Sequence, residues 1–206
     1  MISLGWYALI TAMAGDVIVS LLLPCFYKGY NWKKMSISAL GNPQSPVRWP
    51  FNIWMLIEGI LFLLAVPAFY SKYHDVSAGL TYAVIACMVL FAVGACVFTC
   101  FFSVNESKDE VTTASRIHGA GSVIGFMAFL SVPLLTAILS FKINDGVCGG
   151  IGIAGFVMAL IFFALFVMAD KEEFKNTFVA NEGLWQRLNL VFMYLPLFVV
   201  AIKNLL

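Results

Sequence analysis

The amino-acid sequence predicts an all-α membrane protein, a bundle of six transmembrane helices. The chain is 62% hydrophobic and only 11% charged, and its mean hydropathy is +0.94. Apolar runs recur at span length, and most of the connectors between them are short. Soluble domains carry about 25% charged residues, so a water-soluble chain of 206 residues could not hide this much apolar surface. We expect one transmembrane helical domain over residues 1–206.

Each predicted span is an apolar run of about 20 residues, the length that crosses the hydrocarbon core of a bilayer. Lipid offers backbone amides no hydrogen-bond partners, so each run must be helical. The first run is expected to persist as a span, since no Lys or Arg precedes it as in a signal peptide. Pro133 and Pro196 are expected to kink their helices. The predicted spans are Leu4–Phe26, Phe51–Tyr70, Gly79–Phe102, Gly119–Phe141, Val147–Met168 and Leu184–Ile202.

The placement of Lys and Arg predicts the orientation of the bundle. Most of these residues flank the first, third and fifth connectors, which we call the odd-connector side: Lys28, Lys33, Lys34, Arg48, Lys108, Arg116, Lys171, Lys175 and Arg187. The opposite side holds Lys72, Lys142 and Lys203. This bias predicts a multi-pass protein of the plasma membrane with both termini outside. The net charge of +1 offers no broad basic field for nucleic acid.

Few polar groups interrupt the apolar spans, and they form the candidate ligand-binding set. Asp16 lies in the first span, Glu58 in the second, His118 opens the fourth, and Arg187 and Asn189 begin the sixth. A charge at the bilayer centre costs about 2.5–3.5 kcal/mol on insertion scales, so such groups are expected to face the bundle interior and pair. Their positions predict a carboxylate–imidazole–guanidinium cluster of Glu58, His118 and Arg187, with Asp16 deeper in the bilayer.

The same residues also fit a purely structural interpretation. A buried Glu–Arg pair can fix the registry of two helices, and His118 at a helix start can lie among the lipid headgroups. The cysteines are irregularly spaced, and two histidines are too few for a site built from several imidazoles. We therefore expect no metal site and no cofactor.

The first connector is long for a small bundle and contains the turn-forming stretch LGNPQSP. Before this stretch, Met35, Ile37 and Leu40 follow two lysines, which predicts a short amphipathic segment in the interface. The connector either folds over the mouth of the bundle as a lid or rests on the headgroups as a linker. The candidate lid or interface residues are Ser38, Asn42, Arg48 and Asn52. Arg48 and the lysines would meet anionic headgroups.

The stretch SISALGNPQSPVRWPFNIWMLIEG, residues 36–59, resembles the signature of a family of bacterial and archaeal membrane proteins, domain of unknown function 998. In that family a Ser-x-Leu-Gly run with Pro precedes a Phe-Asn pair and a Gly in the second span. A later span begins with His, as in IHGAGSVIGF here. The matching residues are Ser38, Leu40, Gly41, Pro46, Phe51, Asn52, Gly59 and His118. The resemblance implies a helical bundle of this size and no established activity.

That family is also distantly similar to the membrane hydrolase superfamily that contains the alkaline ceramidases. Those enzymes use a Ser, an Asp and several His around zinc. This chain departs from their pattern, because its only histidines, His74 and His118, fall on opposite sides of the predicted bilayer. A zinc site from Asp16, Glu58 and His118 would lack the usual set of imidazoles.

The leading functional hypothesis is binding or transport of a lipid or small amphiphile. Its polar head would meet Glu58, His118, Arg187 and Asn189, and its tail would meet walls rich in Phe and Leu. Membrane lipid is therefore the expected partner.

Two other functions remain open. One is an intramembrane lipid-modifying hydrolase, with His118 or Glu58 as general base and Ser36, Ser38 or Ser122 as nucleophile. The sequence has no G-x-S-x-G, HExxH or Gly-rich phosphate motif, and this favours a function other than catalysis. The other is a structural or regulatory subunit of a membrane complex, which stripes of small residues permit.

Overall fold

The computed structural model describes residues 2–105 and 110–206, and this part of the chain is helical without β-strands. Six helical spans are long and apolar enough to cross a membrane, which confirms the predicted fold class and the predicted number of spans. The fourth span is divided into two helices. The helices are α1 (Ile2–Leu22), α2 (Arg48–Tyr73), α3 (Ala78–Phe101), α4 (Thr113–Phe129), α5 (Val132–Lys142), α6 (Gly146–Ala169) and α7 (Glu182–Lys203).

The second span begins at Arg48, earlier than the hydropathy predicts. Pro50 falls in its first turn. Backbone N–H groups there have no partner within the helix, so proline loses no helical hydrogen bond. Arg48 and Asn52, which were predicted as lid or interface residues, therefore belong to α2. Ser38 and Asn42 do lie in the connector.

The fourth span also begins earlier than predicted, at Thr113. Thr112 and Ser115 form a capping box, in which Ser115 N donates to Thr112 Oγ1 (3.2 Å) and Thr112 N donates to Ser115 Oγ (2.9 Å). His118 therefore lies in the second turn of α4. The prediction that His118 opens the span is wrong. Lys108, part of the predicted charge bias, lies outside the described residues. The orientation with both termini outside stays a prediction.

The helices form a ring in which sequence neighbours pack together, and α7 returns to pack on α1. Four rings fill the middle of this bundle and form what we call the aromatic cluster. Its neighbouring ring centroids lie 4.5–6.2 Å apart. Rings at this spacing attract one another beyond the burial of their surface. The cluster consists of Phe62, Phe91, Phe129 and Tyr194.

A break at Leu130 and Ser131 separates α4 from α5. Pro133 falls in the first turn of α5, which it can occupy at no hydrogen-bonding cost. The break at Pro133 agrees with the predicted kink. Pro196 lies inside α7, which is continuous, and the kink there stays a prediction. Before the break α4 packs on α3, and after it α5 packs on α6 and α7. On the odd-connector side, α4 therefore lies apart from α6.

Glycines hold α4 against a π-helical segment of α3, Ala92–Val97. A Cβ atom placed on Gly121 would lie 2.8 Å from the carbonyl oxygen of Gly94, and one on Gly125 would lie 3.0 Å from the amide nitrogen of Ala95. Only glycine permits this approach of two backbones. The contact fixes α4 on the α3 side of the bundle.

Candidate functional site

The candidate ligand-binding residues all face the bundle interior, as predicted. Asp16 is 4% exposed, Glu58 0%, His118 5%, Arg187 6% and Asn189 1%. The outer surface instead presents large apolar side chains, among them Leu4, Ile60, Val147 and Ile161. This distribution is the one expected when lipid surrounds the bundle and polar groups find partners inside it.

Two carboxyl groups meet at the hydroxyl of Tyr194. Tyr194 Oη lies 2.9 Å from Asp16 Oδ2 and 3.2 Å from Glu58 Oε1. At 1.5 Å per residue, Glu58 lies about 15 Å from the start of α2, near the middle of a hydrocarbon core about 30 Å thick. Asp16 and Glu58 therefore lie at the same depth. The sequence placed Asp16 deeper because it started the second span too late.

The two contacts of the Tyr194 hydroxyl require a protonated carboxyl group. The Tyr194 hydroxyl carries one proton and donates to one carboxylate at a time. The other carboxyl bonds to the hydroxyl only by donating a proton of its own. Both short distances are therefore satisfied together when either Asp16 or Glu58 is protonated. Glu58 Oε2 is also buried and has no hydrogen-bond partner among the described residues.

Tyr194 was not among the predicted site residues. Its position in the predicted span Leu184–Ile202 is a signal for it, because tyrosine usually lies at the membrane–water interface. Tyr194 instead lies in the interior of α7, where its hydroxyl needs a buried partner.

Arg187 does not contact the carboxyl groups, because oxygen atoms on its own side of the bundle engage all five of its N–H donors. Nε donates to the Ser20 carbonyl (3.3 Å), and Nη2 donates to the same oxygen (2.9 Å) and to Tyr30 Oη (3.1 Å). Nη1 donates to the carbonyl oxygens of Trp32 and Gly183, at 2.9 Å each. The guanidinium therefore joins α1, the first connector and α7.

The sequence explains why the carbonyl of Ser20 is available to Arg187. In a helix this carbonyl would accept from the amide of residue 24, but that residue is Pro24 and has no N–H. The second partner is also suited to its role. Burial raises the pKa of Tyr30, although the Arg187 guanidinium opposes the shift, so the phenol stays protonated. It donates in turn to the carbonyl of Ser36 (2.7 Å).

His118 and Asn189 also bond to backbone oxygens. His118 Nδ1 lies 2.9 Å from the carbonyl oxygen of Phe102, which can only accept, so this nitrogen carries the proton. Asn189 Nδ2 donates to the carbonyl of Ala159 (2.8 Å) and ties α7 to α6. The described residues therefore do not form the predicted carboxylate–imidazole–guanidinium cluster. The backbone oxygens near the helix ends compete successfully for the imidazole and the guanidinium.

A cavity of about 700 Å³ opens above the carboxyl groups. Asp16, Glu58 and Tyr194 form its floor, and His118 also lines it, whereas Arg187 and Asn189 do not. Apolar side chains form most of the wall: Phe91, Phe126, Phe163, Phe166, Val167 and Leu190. Charged and polar side chains surround the mouth on the odd-connector side: Lys34, Ser38, Glu110, Arg116 and Glu182.

The first connector covers part of this mouth and is attached to α7. The amide of Ile37 donates to Gln186 Oε1 (2.7 Å), and the amide of Leu184 donates to the carbonyl of Lys33 (2.9 Å). Gly183 allows the connector to lie this close, because a Cβ there would collide with the carbonyl oxygens of Met35 and Trp32. Residues 35–39 line the cavity.

The connector places its short 3₁₀ helix, Ile37–Gly41, in the bundle. Ile37 is 5% exposed and Leu40 is 0% exposed, so the apolar side of this segment is buried by protein. Of the candidate lid residues, Ser38 lines the cavity. Asn42 donates to the carbonyl of Ala39 (2.8 Å) and holds the end of the 3₁₀ helix.

The cavity also has a side opening between α4 and α6, which we call the lateral opening. Val123 and Met127 of α4 line the cavity, as do Phe163, Phe166 and Val167 of α6. Val123 is 62% exposed, Met127 51% and Val167 48%, so the same side chains lie at the surface that faces lipid. The break before α5 separates the two helices here.

A family described as Protein of unknown function (DUF998) matches residues 10–203. The matched range contains the carboxyl groups, Tyr194, the first connector and the lateral opening. No curated protein and no solved structure matches the chain. The match confirms the family predicted from residues 36–59 and His118 and covers nearly the whole bundle, and the chain belongs to the family Protein of unknown function (DUF998).

Proposed function

We propose that this protein binds a lipid or small amphiphile inside the membrane and exchanges it through the lateral opening. One observation supports the proposal, a cavity of about 700 Å³ that combines apolar walls, a polar floor at mid-bilayer depth and an opening toward lipid. Small-molecule sites commonly have volumes of about 300–1,000 Å³, mostly apolar walls and a few convergent polar groups.

The arrangement of the walls suits an acyl or alkyl chain. A chain that enters between Val123 and Val167 meets apolar side chains without crossing water. Its polar end then reaches Asp16 and Glu58, or the charged groups at the mouth. In this proposal Asp16, Glu58 and His118 contact the ligand, and Arg187 and Asn189 position the helices that carry the cavity.

Movement of the ligand follows from the two openings. The lateral opening faces the bilayer, and the mouth faces the odd-connector surface. Exchange between them would carry an amphiphile between lipid and that surface, past the first connector.

A matched pair of substitutions on α6 tests the proposal. Val157 and Val167 are each 48% exposed, but only Val167 lines the cavity. Filling the lateral opening with Val167→Trp should weaken ligand binding about tenfold, the effect of ~1.4 kcal/mol. Val157→Trp should leave binding unchanged.

The measurement uses protein in phosphatidylcholine nanodiscs, titrated with dodecylamine, dodecanol and dodecanoate in a calorimeter. Empty nanodiscs correct for partitioning into lipid. Saturable binding that Val167→Trp weakens and Val157→Trp preserves would support a site inside the cavity. Equal binding by both variants, or no saturable binding of any probe, would refute it.

A further inference from the structure

We infer that the cavity selects an amphiphile whose head is a primary ammonium, held by N–H donation to Glu58 Oε2. This inference rests on the proposed function and adds the class of head group and the direction in which the ligand lies. The head would point toward the floor and the chain toward the lateral opening.

The floor presents an acceptor that the protein leaves unused. Glu58 is 0% exposed and lines the cavity, and its Oε2 atom has no partner among the described residues. A buried carboxylate oxygen without a donor is costly, so a donor group on a ligand recovers free energy there.

Among the described residues, no cation bonds to this acceptor. All five N–H donors of Arg187 bond to other oxygens. Lys34 and Arg116 line the mouth, and no hydrogen bond or ion pair joins either of them to Asp16 or Glu58 in the described part of the chain. A positive charge in contact with this acceptor would therefore come from the ligand.

The hydrogen-bond chain at the floor leaves one negative charge for one ammonium. An ammonium at Oε2 favours the arrangement in which Asp16 holds the shared proton, its carboxyl donates to Tyr194 Oη, and the hydroxyl donates to Glu58 Oε1. Glu58 is then ionised, and its Oε2 atom accepts from the ligand. Charge-assisted bonds of this kind are about twice as strong as neutral ones.

Other head groups fit the floor less well. A carboxylate or phosphate would face two carboxyl groups and no cation, whereas an alcohol would gain a bond without charge. The rings of Phe91 and Tyr194, with centroids 6.2 Å apart, lie beside the same space and attract cations through their faces. The apolar wall favours a cation attached to a chain over an inorganic ion, which would keep its water.

The test compares four probes of one chain length in the same phosphatidylcholine nanodiscs at neutral pH. The probes are dodecylamine, present as the ammonium, dodecyltrimethylammonium, dodecanol and dodecanoate. Dodecylammonium should bind about tenfold more tightly than each of the others. The trimethyl probe separates charge from N–H donation, because it carries the charge and has no N–H.

Substitution of the acceptor should remove this preference. Glu58→Gln should lower the affinity for dodecylammonium to that for dodecanol. Glu173→Gln removes an exposed carboxylate from the fifth connector, away from the cavity, and should change neither affinity. Tyr194→Phe keeps the ring but removes the bridging hydroxyl, and provides a second readout if Glu58→Gln does not fold.

The outcomes separate the two proposals. If no probe binds saturably, the proposed function fails, and this inference fails with it. If the probes bind with equal affinity, or if dodecanoate or the trimethyl probe binds as tightly as dodecylammonium, only the inference about the head group is overturned.

Discussion

Arg187 and Glu58 are both charged residues buried in this bundle, but the protein satisfies them to different degrees. Every N–H of Arg187 donates to an oxygen of the chain. Glu58, which lines the cavity, has one oxygen bonded to Tyr194 and one without a partner among the described residues. The difference is the one expected if Arg187 has a structural role and Glu58 binds a ligand, as proposed above.

The two groups also differ in what they connect. Arg187 holds α1, the first connector and α7 together near the odd-connector side. The carboxyl groups connect α1, α2 and α7 through the single hydroxyl of Tyr194. Substitutions at the two places should therefore separate stability from binding.

The largest effect on stability is expected for Arg187→Ala. The substitution leaves the carbonyls of Ser20 and Trp32 without their donors and frees the connector, which should cost about 3–5 kcal/mol, as when a buried charged partner is removed. Arg116→Ala, at the exposed mouth, should change stability by less than about 0.5 kcal/mol. Unfolding in detergent measures both, and equal losses would contradict a structural role for Arg187.

A smaller effect is expected at Asp145, at the opposite side of the bundle. Asp145 caps α6 by accepting from the amide of Cys148 (3.2 Å) and also accepts from Lys203 Nζ (2.6 Å). Asp145→Ala should cost about 1 kcal/mol through the lost cap. Asp145→Asn keeps an acceptor for the cap and should cost less, because Lys203 is 60% exposed and water screens the pair.

The pH dependence of this pair has a defined sign. The hydrogen bond from the Lys203 ammonium holds the pKa of Asp145 below its ordinary value of 3.8. A carboxyl with a lowered pKa in the folded protein stabilises it fully above the ordinary value, and this contribution is lost as pH falls through the folded value. The stability difference between the wild type and Asp145→Asn should therefore disappear in acid. A difference that persists there would contradict the ion pair.

Of the two buried charges, Glu58 is expected to show the smaller effect on stability, when it is replaced in Glu58→Gln. The amide keeps an oxygen for the Tyr194 hydroxyl and removes a buried charge, so the free energy of unfolding should change by less than about 1 kcal/mol or rise. The same unfolding assay measures it. A loss as large as that of Arg187→Ala would show that Glu58 is structural, and would end the contrast between the two residues.

Hydropathy predicted the spans because a bilayer demands long apolar helices, and Pro133 marked the break in the fourth span. The starts of α2 and α4 were missed, because Arg48 and the polar capping residues before α4 do not raise hydropathy. Local pattern also determined that Asp16 and Glu58 face inward. It did not determine that Tyr194 meets both, since this depends on the register of three helices.

The partners of Arg187 were predictable only in part. Pro24 deprives the carbonyl of Ser20 of its helical donor, and this can be read from the sequence. That Arg187 supplies the missing donor to this carbonyl depends on how α7 packs on α1. The predicted Glu58–Arg187 contact fails because the deprived carbonyl lies nearer the arginine than the carboxylate does.

The aromatic cluster makes the cavity blind-ended. Phe62 and Phe129 are 0% exposed and close the bundle below the floor formed with Tyr194. A guest that reaches Glu58 could not pass these rings, and would leave through the mouth or the lateral opening. Under the proposed function, an amphiphile would therefore exchange between one leaflet and its adjoining aqueous surface, and moving it to the far leaflet would require these packed rings to separate.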